Sequence, residues 1–224
     1  MDGDYAGRVA REIDRVFVSS MALARDNGGR DLVDRYGGRE EVGWLVEFRT
    51  SLAWPDRLVT WPQFVAVTRY RGRVEIGGGG IVRSAKGFTA SAHGAAFLVE
   101  LYKLHSELFA GSPRLNELAG RVLDAAAATG REAFAAMAPP FEPAGMSAGG
   151  LLVNRLGTLR YHRTDAHASA WRAAGLTAEE IQALPPGPAR DAIEERTDVN
   201  AAPPYTVLSG SEREELMAGL ARLP

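Results

Sequence analysis

Four glycines in a row, Gly77 to Gly80, constrain the fold of this 224-residue chain more than any other feature. Each would cost about 1 kcal/mol relative to alanine inside a helix, so no helix is expected to cross them. On either side the chain reads as helices. Val9, Ile13, Val16, Phe17 and Met21 recur at helical spacing and mark residues 5–26, which Asn27-Gly28-Gly29 ends. Val42, Leu45, Val46 and Phe48 mark a second helix over residues 39–52, closed by Trp54-Pro55. Thr60-Trp61-Pro62-Gln63 has the residues of a capping box and opens a short helix to about Arg69. Past the glycines, helices are expected from about Gly94 to Phe109 and from Ser112-Pro113 to about Met137. Another covers Leu151 to Trp171, bent or broken near Gly157. Further ones follow Thr177, span about Ala189 to Asn200, and begin at Ser211-Glu212-Arg213-Glu214. Pro139 to Gly145 cannot be helix. Ile81-Val82 and Phe88-Thr89-Ala90 suggest a small β-hairpin. The expected class is mainly α, with a helix-turn-helix plus small β-hairpin in an N-terminal half (1–110) and a helical C-terminal half (111–224). The halves are either separate or one intertwined domain.

Composition removes several kinds of chemistry. The chain has no cysteine, which excludes disulfides, thiolate catalysis, sulfur-held zinc and iron–sulfur clusters. No apolar run approaches the roughly 18–20 residues of a membrane span, and MDGDYAGR lacks a signal-peptide core. A cytoplasmic protein that makes no membrane contact is expected. The Ala, Arg and Gly bias points to a GC-rich bacterial source. Net charge is −2, yet Arg57, Arg69, Arg71, Arg73, Arg83 and Lys86 face only Glu75 between residues 57 and 93. Such a basic segment either docks on phosphates or is a solvated surface.

The densest titratable segment is LLVNRLGTLRYHRTDAHASAW, Leu151 to Trp171. On a helix His162 and Asp165 share a face, and a carboxylate that fixes an imidazole tautomer makes a general acid–base pair. The other reading is an ion-paired helix face in which Asp165 balances nearby arginines. His162 and His167 lie about 140° apart, which fails the i, i+3 or i, i+4 spacing of helical metal ligands. No metal and no cofactor are expected. Arg160, Arg163 and His167 (i, i+3, i+7) share a second face suited to an anionic ligand, or to plain surface. Trp44, Trp54, Trp61 and Phe64 form either the core of the first module or one wall of an aromatic pocket closed by Phe141 and Met146. On the pocket reading Trp61 and Phe141 touch the ligand. The glycine run lacks the Lys-Ser/Thr of a phosphate loop. His93 and His105 read as structural.

The string GGIVRSAKGFTASAHG after a helix-turn-helix resembles the wing of MarR-type regulators. Thr129-Gly130-Arg131 through Leu176, and GPARDAIEERTDVNAAPPYTVLSGSEREELMAGL, resemble the actinobacterial SalK-like helix-turn-helix family. There a helical domain carries a string like His162-Arg163-Thr164-Asp165-Ala166-His167. The resemblance covers about two thirds of the chain. It implies a regulator-like homodimer that binds a small organic ligand, with DNA contact through Arg69, Arg71, Arg73, Arg83 and Lys86. Against DNA contact, the glycine run stands where a recognition helix should present a rigid row of side chains. The alternative is a metal-independent biosynthetic enzyme, with His162 and Asp165 as acid and base and Arg160 or Arg163 holding an anionic substrate. A third is an accessory partner of another protein.

Overall fold

The computed structural model describes residues 2–71 and 75–224. Helix α1 (Asp2–Ala24) ends in a wide turn, Arg25–Gly29, that leaves helical geometry at Asn27 and Gly28. Helix α2 (Arg30–Arg35) follows. The expected second helix is two, α3 (Arg39–Glu47) and α4 (Arg49–Leu52), hinged at Phe48. Strand β1 (Val59–Thr60) runs into α5 (Trp61–Thr68), whose Thr60–Gln63 capping box is formed in both directions. Strands β2 (Ile81–Arg83) and β3 (Gly87–Ala90) complete an antiparallel sheet of order β1-β3-β2. β3 pairs Phe88 with Val59 on one side and with Arg83 on the other. Two residues are too few for an alternation signal, so β1 was not foreseen. Fully buried Phe88 packs against Phe48, Phe64 and Trp61, with ring centroids 5.4–5.8 Å apart, and ties the sheet to the α3–α4 hinge and to α5.

The glycine run lies against α3. The Gly80 N–H donates to the Glu41 carbonyl, and a Cβ on Gly80 would sit 2.6 Å from that oxygen. Close backbone approach is therefore one reason for glycine here.

Helix α6 (Ala92–Leu108) starts behind Ser91. The single helix expected from Ser112 to Met137 is broken into α7 (Pro113–Ala126) and α8 (Glu132–Met137). The break is set from a distance, because α8 takes its N-terminal cap from Asp165, described below. Helix α9 (Ala148–Ala173) is continuous through Gly157. That glycine serves contact rather than bending: a Cβ there would meet the Phe17 ring at 2.8 Å. Helix α10 (Ala178–Ala183) has its Thr177–Glu180 box. Then come α11 (Pro188–Ala201), a 3₁₀ turn (Pro203–Val207) and α12 (Gly210–Ala221), which is capped by Ser209 and Glu212 and so begins just before Ser211.

Two main cores flank α9. One joins α1, α7, α9 and α12 through residues such as Val9, Ile13, Val122, Leu156 and Leu216. The other surrounds the sheet, with Leu45, Phe48, Phe88 and Phe97, and takes Ala133, Ala136 and Met137 from α8. Each core thus draws on both sides of residue 110. Among the described residues, no helix is long and apolar enough to cross a membrane.

Candidate functional site

The two faces of α9 have different surroundings. The first is turned to the start of α8. Asp165, 4% exposed, accepts the backbone N–H groups of Arg131, Ala133 and Phe134 at 2.9, 3.2 and 2.9 Å. Its fourth contact is Arg69 Nη2 at 3.4 Å, whose side chain is 7% exposed. The orphan N–H groups and positive dipole end of α8 claim this carboxylate. His162 is buried beside it, but its Nε2 bonds Thr129 Oγ1 at 2.8 Å and its ring stands edge-on to Phe134. Burial lowers the pKa of His162, with Asp165 opposing. No hydrogen bond joins His162 to Asp165, so the expected acid–base pair is not assembled. Shared helical face brought them near, and other partners took their hydrogen bonds.

The second face borders a cavity of about 630 Å³ between α1, the end of α5, α9 and α11. Arg160, Arg163, Thr164 and His167 line it at i, i+3, i+4 and i+7, so the two arginines and the histidine expected to share a face do meet one cavity. Arg160 pairs with Asp14 at 2.6 Å and lies over the Phe17 ring. Arg163 pairs with Asp198 at 2.6 Å and reaches Glu194 at 3.5 Å. Opposite, Glu47 accepts from Tyr161 Oη and Arg71 Nη2, both at 2.5 Å. Burial first, and Glu47 second, push the Tyr161 hydroxyl pKa up.

His167 ends a hydrogen-bonded chain. Trp171 Nε1–H donates to Tyr70 Oη at 2.8 Å, and Tyr70 Oη lies 2.9 Å from His167 Nδ1. Indole can only donate, so the tyrosine's own proton is free for Nδ1, and the neutral imidazole carries its proton on Nε2. That Nε2 is buried and has no hydrogen-bond partner among the described residues, with the nearest Glu194 oxygen 3.6 Å away. Burial is the main cause lowering the pKa of His167. Glu194 raises it, and Arg163, Arg190 and Arg69 lower it further.

Trp61 and Phe141 are not brought together, and neither borders this cavity. Trp61 caps the sheet, donating to the Ser84 carbonyl at 3.2 Å beneath the Arg83 guanidinium. Phe141 packs on Trp54 and Tyr102, its loop pinned by its N–H to the Thr50 carbonyl. The basic set is also dispersed. Arg69 is turned inward onto Asp165 and cannot reach a phosphate, a correction to its expected DNA role. Arg71 is held by Glu47 and Arg83 by Trp61 and the Ile76 carbonyl, while Lys86 is exposed. Arg73 lies outside the described residues. The described residues between α5 and β2 include no helix.

Sequence reading missed Tyr70, Glu47 and Glu194. Only Trp171, four residues past His167 on the same helix, offered a local signal. Set against models of known families, characterised proteins and solved structures, the chain matches none.

Proposed function

We propose that this chain is a regulator-like protein that binds a small organic molecule in the cleft along α9, on a scaffold of winged-helix descent. The sheet order β1-β3-β2 with α5 between β1 and β2 is in keeping with that descent. The observation that carries the ligand reading is His167 Nε2, buried and unbonded at the wall of a cavity of about 630 Å³. A buried donor without a partner is costly unless something satisfies it, and the volume lies in the range of small-molecule sites. Apolar walls at Ile13, Val67 and Leu159 would cover an organic body. DNA contact on this reading is weak and backbone-only, through Arg83 and Lys86.

The test is a thermal-shift screen of small organic molecules on the native protein and on Thr164→Phe, which fills the cleft. Compounds that raise Tm in the native protein and lose the effect in the filled variant support the reading. Stabilisation that survives the filling overturns it.

A further inference from the structure

We propose that the cleft takes an organic anion, a carboxylate or phosphate, together with one proton that settles on His167. This rests on the cleft being the ligand site. Five arginines and three carboxylates border the cavity. All three carboxylates are engaged: Asp14 by Arg160, Glu47 by Tyr161 and Arg71, Glu194 by Arg163. A cationic ligand would have to break one of these pairs. On the cationic side, Arg11 on α1 has no ion-pair partner among the described residues. Arg15 is taken by Glu12 and Arg163 mainly by Asp198, so Arg11 is the guanidinium of the cleft that an anion can take without breaking a pair.

The proton has a defined place. In the empty cleft Nδ1 accepts from Tyr70 and Nε2 keeps the ring's hydrogen. When an anion enters, a solvent proton binds Nδ1 and forms an N–H bond directed at Tyr70 Oη. That oxygen still accepts from Trp171, so its own hydrogen swings away from Nδ1 and into the cleft. The anion then receives two donors, His167 Nε2–H and Tyr70 O–H, and the imidazolium balances its charge. The groups facing His167 fit this exchange. Arg69 and Tyr70 come from the end of α5, Arg190 and Glu194 from α11, and Arg163 from α9 itself. Arg11 and Asp14 of α1 border the same cavity. Burial and the three arginines outweigh Glu194 and lower the pKa of the ring while the cleft is empty, and a second anion near Nε2 adds to Glu194 and opposes them. Affinity for the anion rises as pH falls, by about tenfold per unit between the empty-state and bound-state midpoints, and is flat above the bound-state midpoint.

The chain has four histidines, so imidazole NMR of the whole protein resolves each titration, with His167→Gln assigning the signal. Four probes of similar shape are benzoate, phenyl phosphate, benzyl alcohol and benzylamine. Benzoate or phenyl phosphate is expected to move the His167 midpoint up by about one pH unit, a tenfold linked gain in affinity, and the stronger of the two identifies the anion. Tyr70→Phe is expected to weaken that anion at least tenfold while leaving the far-ultraviolet dichroism unchanged. Benzylamine or benzyl alcohol perturbing His167 more tightly than either anion overturns the anion and leaves the cleft as a ligand site. Anion binding with no change in the His167 midpoint overturns the proton. Failure of all four probes to move the His167 signal overturns the anion class, and the Thr164→Phe screen separately decides whether the cleft binds ligands.

Discussion

Helix α9 carries the same kinds of residue on two faces, and their bonding differs. Toward α8, Asp165 has four donors and His162 has Thr129, and one guanidinium nitrogen of Arg69 is the exception without a partner among the described residues. Toward the cleft, Arg160 and Arg163 are paired yet partly exposed, and His167 keeps a buried nitrogen open. The face that looks most catalytic as a string of letters is thus a structural brace. The face that looks like ordinary arginine-rich surface borders the cavity. The neighbouring cavity separates them, and density of titratable groups does not.

Removing the brace should have the largest effect. Asp165→Ala leaves Arg69 buried without its carboxylate and uncaps α8, and is expected to cost about 3–5 kcal/mol in urea unfolding. Pairing it with Arg69→Met should recover part of that loss. A cost below about 1 kcal/mol would break the distinction between the faces. Acid should act next. Burial, with Arg49 second, holds the pKa of His105 down at about 3 against an ordinary 6.5. The unfolded chain then binds a proton below pH 6.5 that the folded chain refuses until about pH 3, so stability falls across that window. Going from pH 7 to 5 should cost about 2 kcal/mol from this residue. His162, also lowered, acts in the same direction. Unfolding curves at the two pH values, with His105→Phe as the flattened comparison, measure it.

A smaller effect is expected where α1 crosses α9. Gly157→Ala gains about 1 kcal/mol of helix propensity but drives a methyl into Phe17, an overpacking cost of about 1–3 kcal/mol. The net loss should be about 1 kcal/mol and should vanish with Phe17→Leu. Smallest of all is His167→Gln, expected to change stability by about 1 kcal/mol or less while altering ligand response in calorimetry. A large loss of stability there would put His167 on the structural side.

What could be read locally was legible in the sequence. Helical stripes, the Thr60–Gln63 and Thr177–Glu180 boxes and the hairpin strands depend on residues within a turn or two of each other. The shared face of Arg160, Arg163 and His167 followed from helical geometry in the same way. The break before α8, the two-residue β1 and the engagement of Asp165 did not, because each is decided by groups some 30 residues away. The same holds for Tyr70 and Glu194, which reach His167 from separate helices.

Helix α8 has six residues, too few to persist in water by themselves. Its cap is a carboxylate that follows 31 to 34 residues later in the chain. A ribosome therefore completes every strand of the sheet, and α8 itself, before it supplies the group that holds α8 in place. Ala133, Ala136 and Met137, which close the core around that sheet, stay undocked until the second half of α9 has emerged. The first-made module of this protein is sealed only by a helix from the later half of the chain, and a nascent chain stopped short of residue 165 presents its open core to whatever chaperone is at hand.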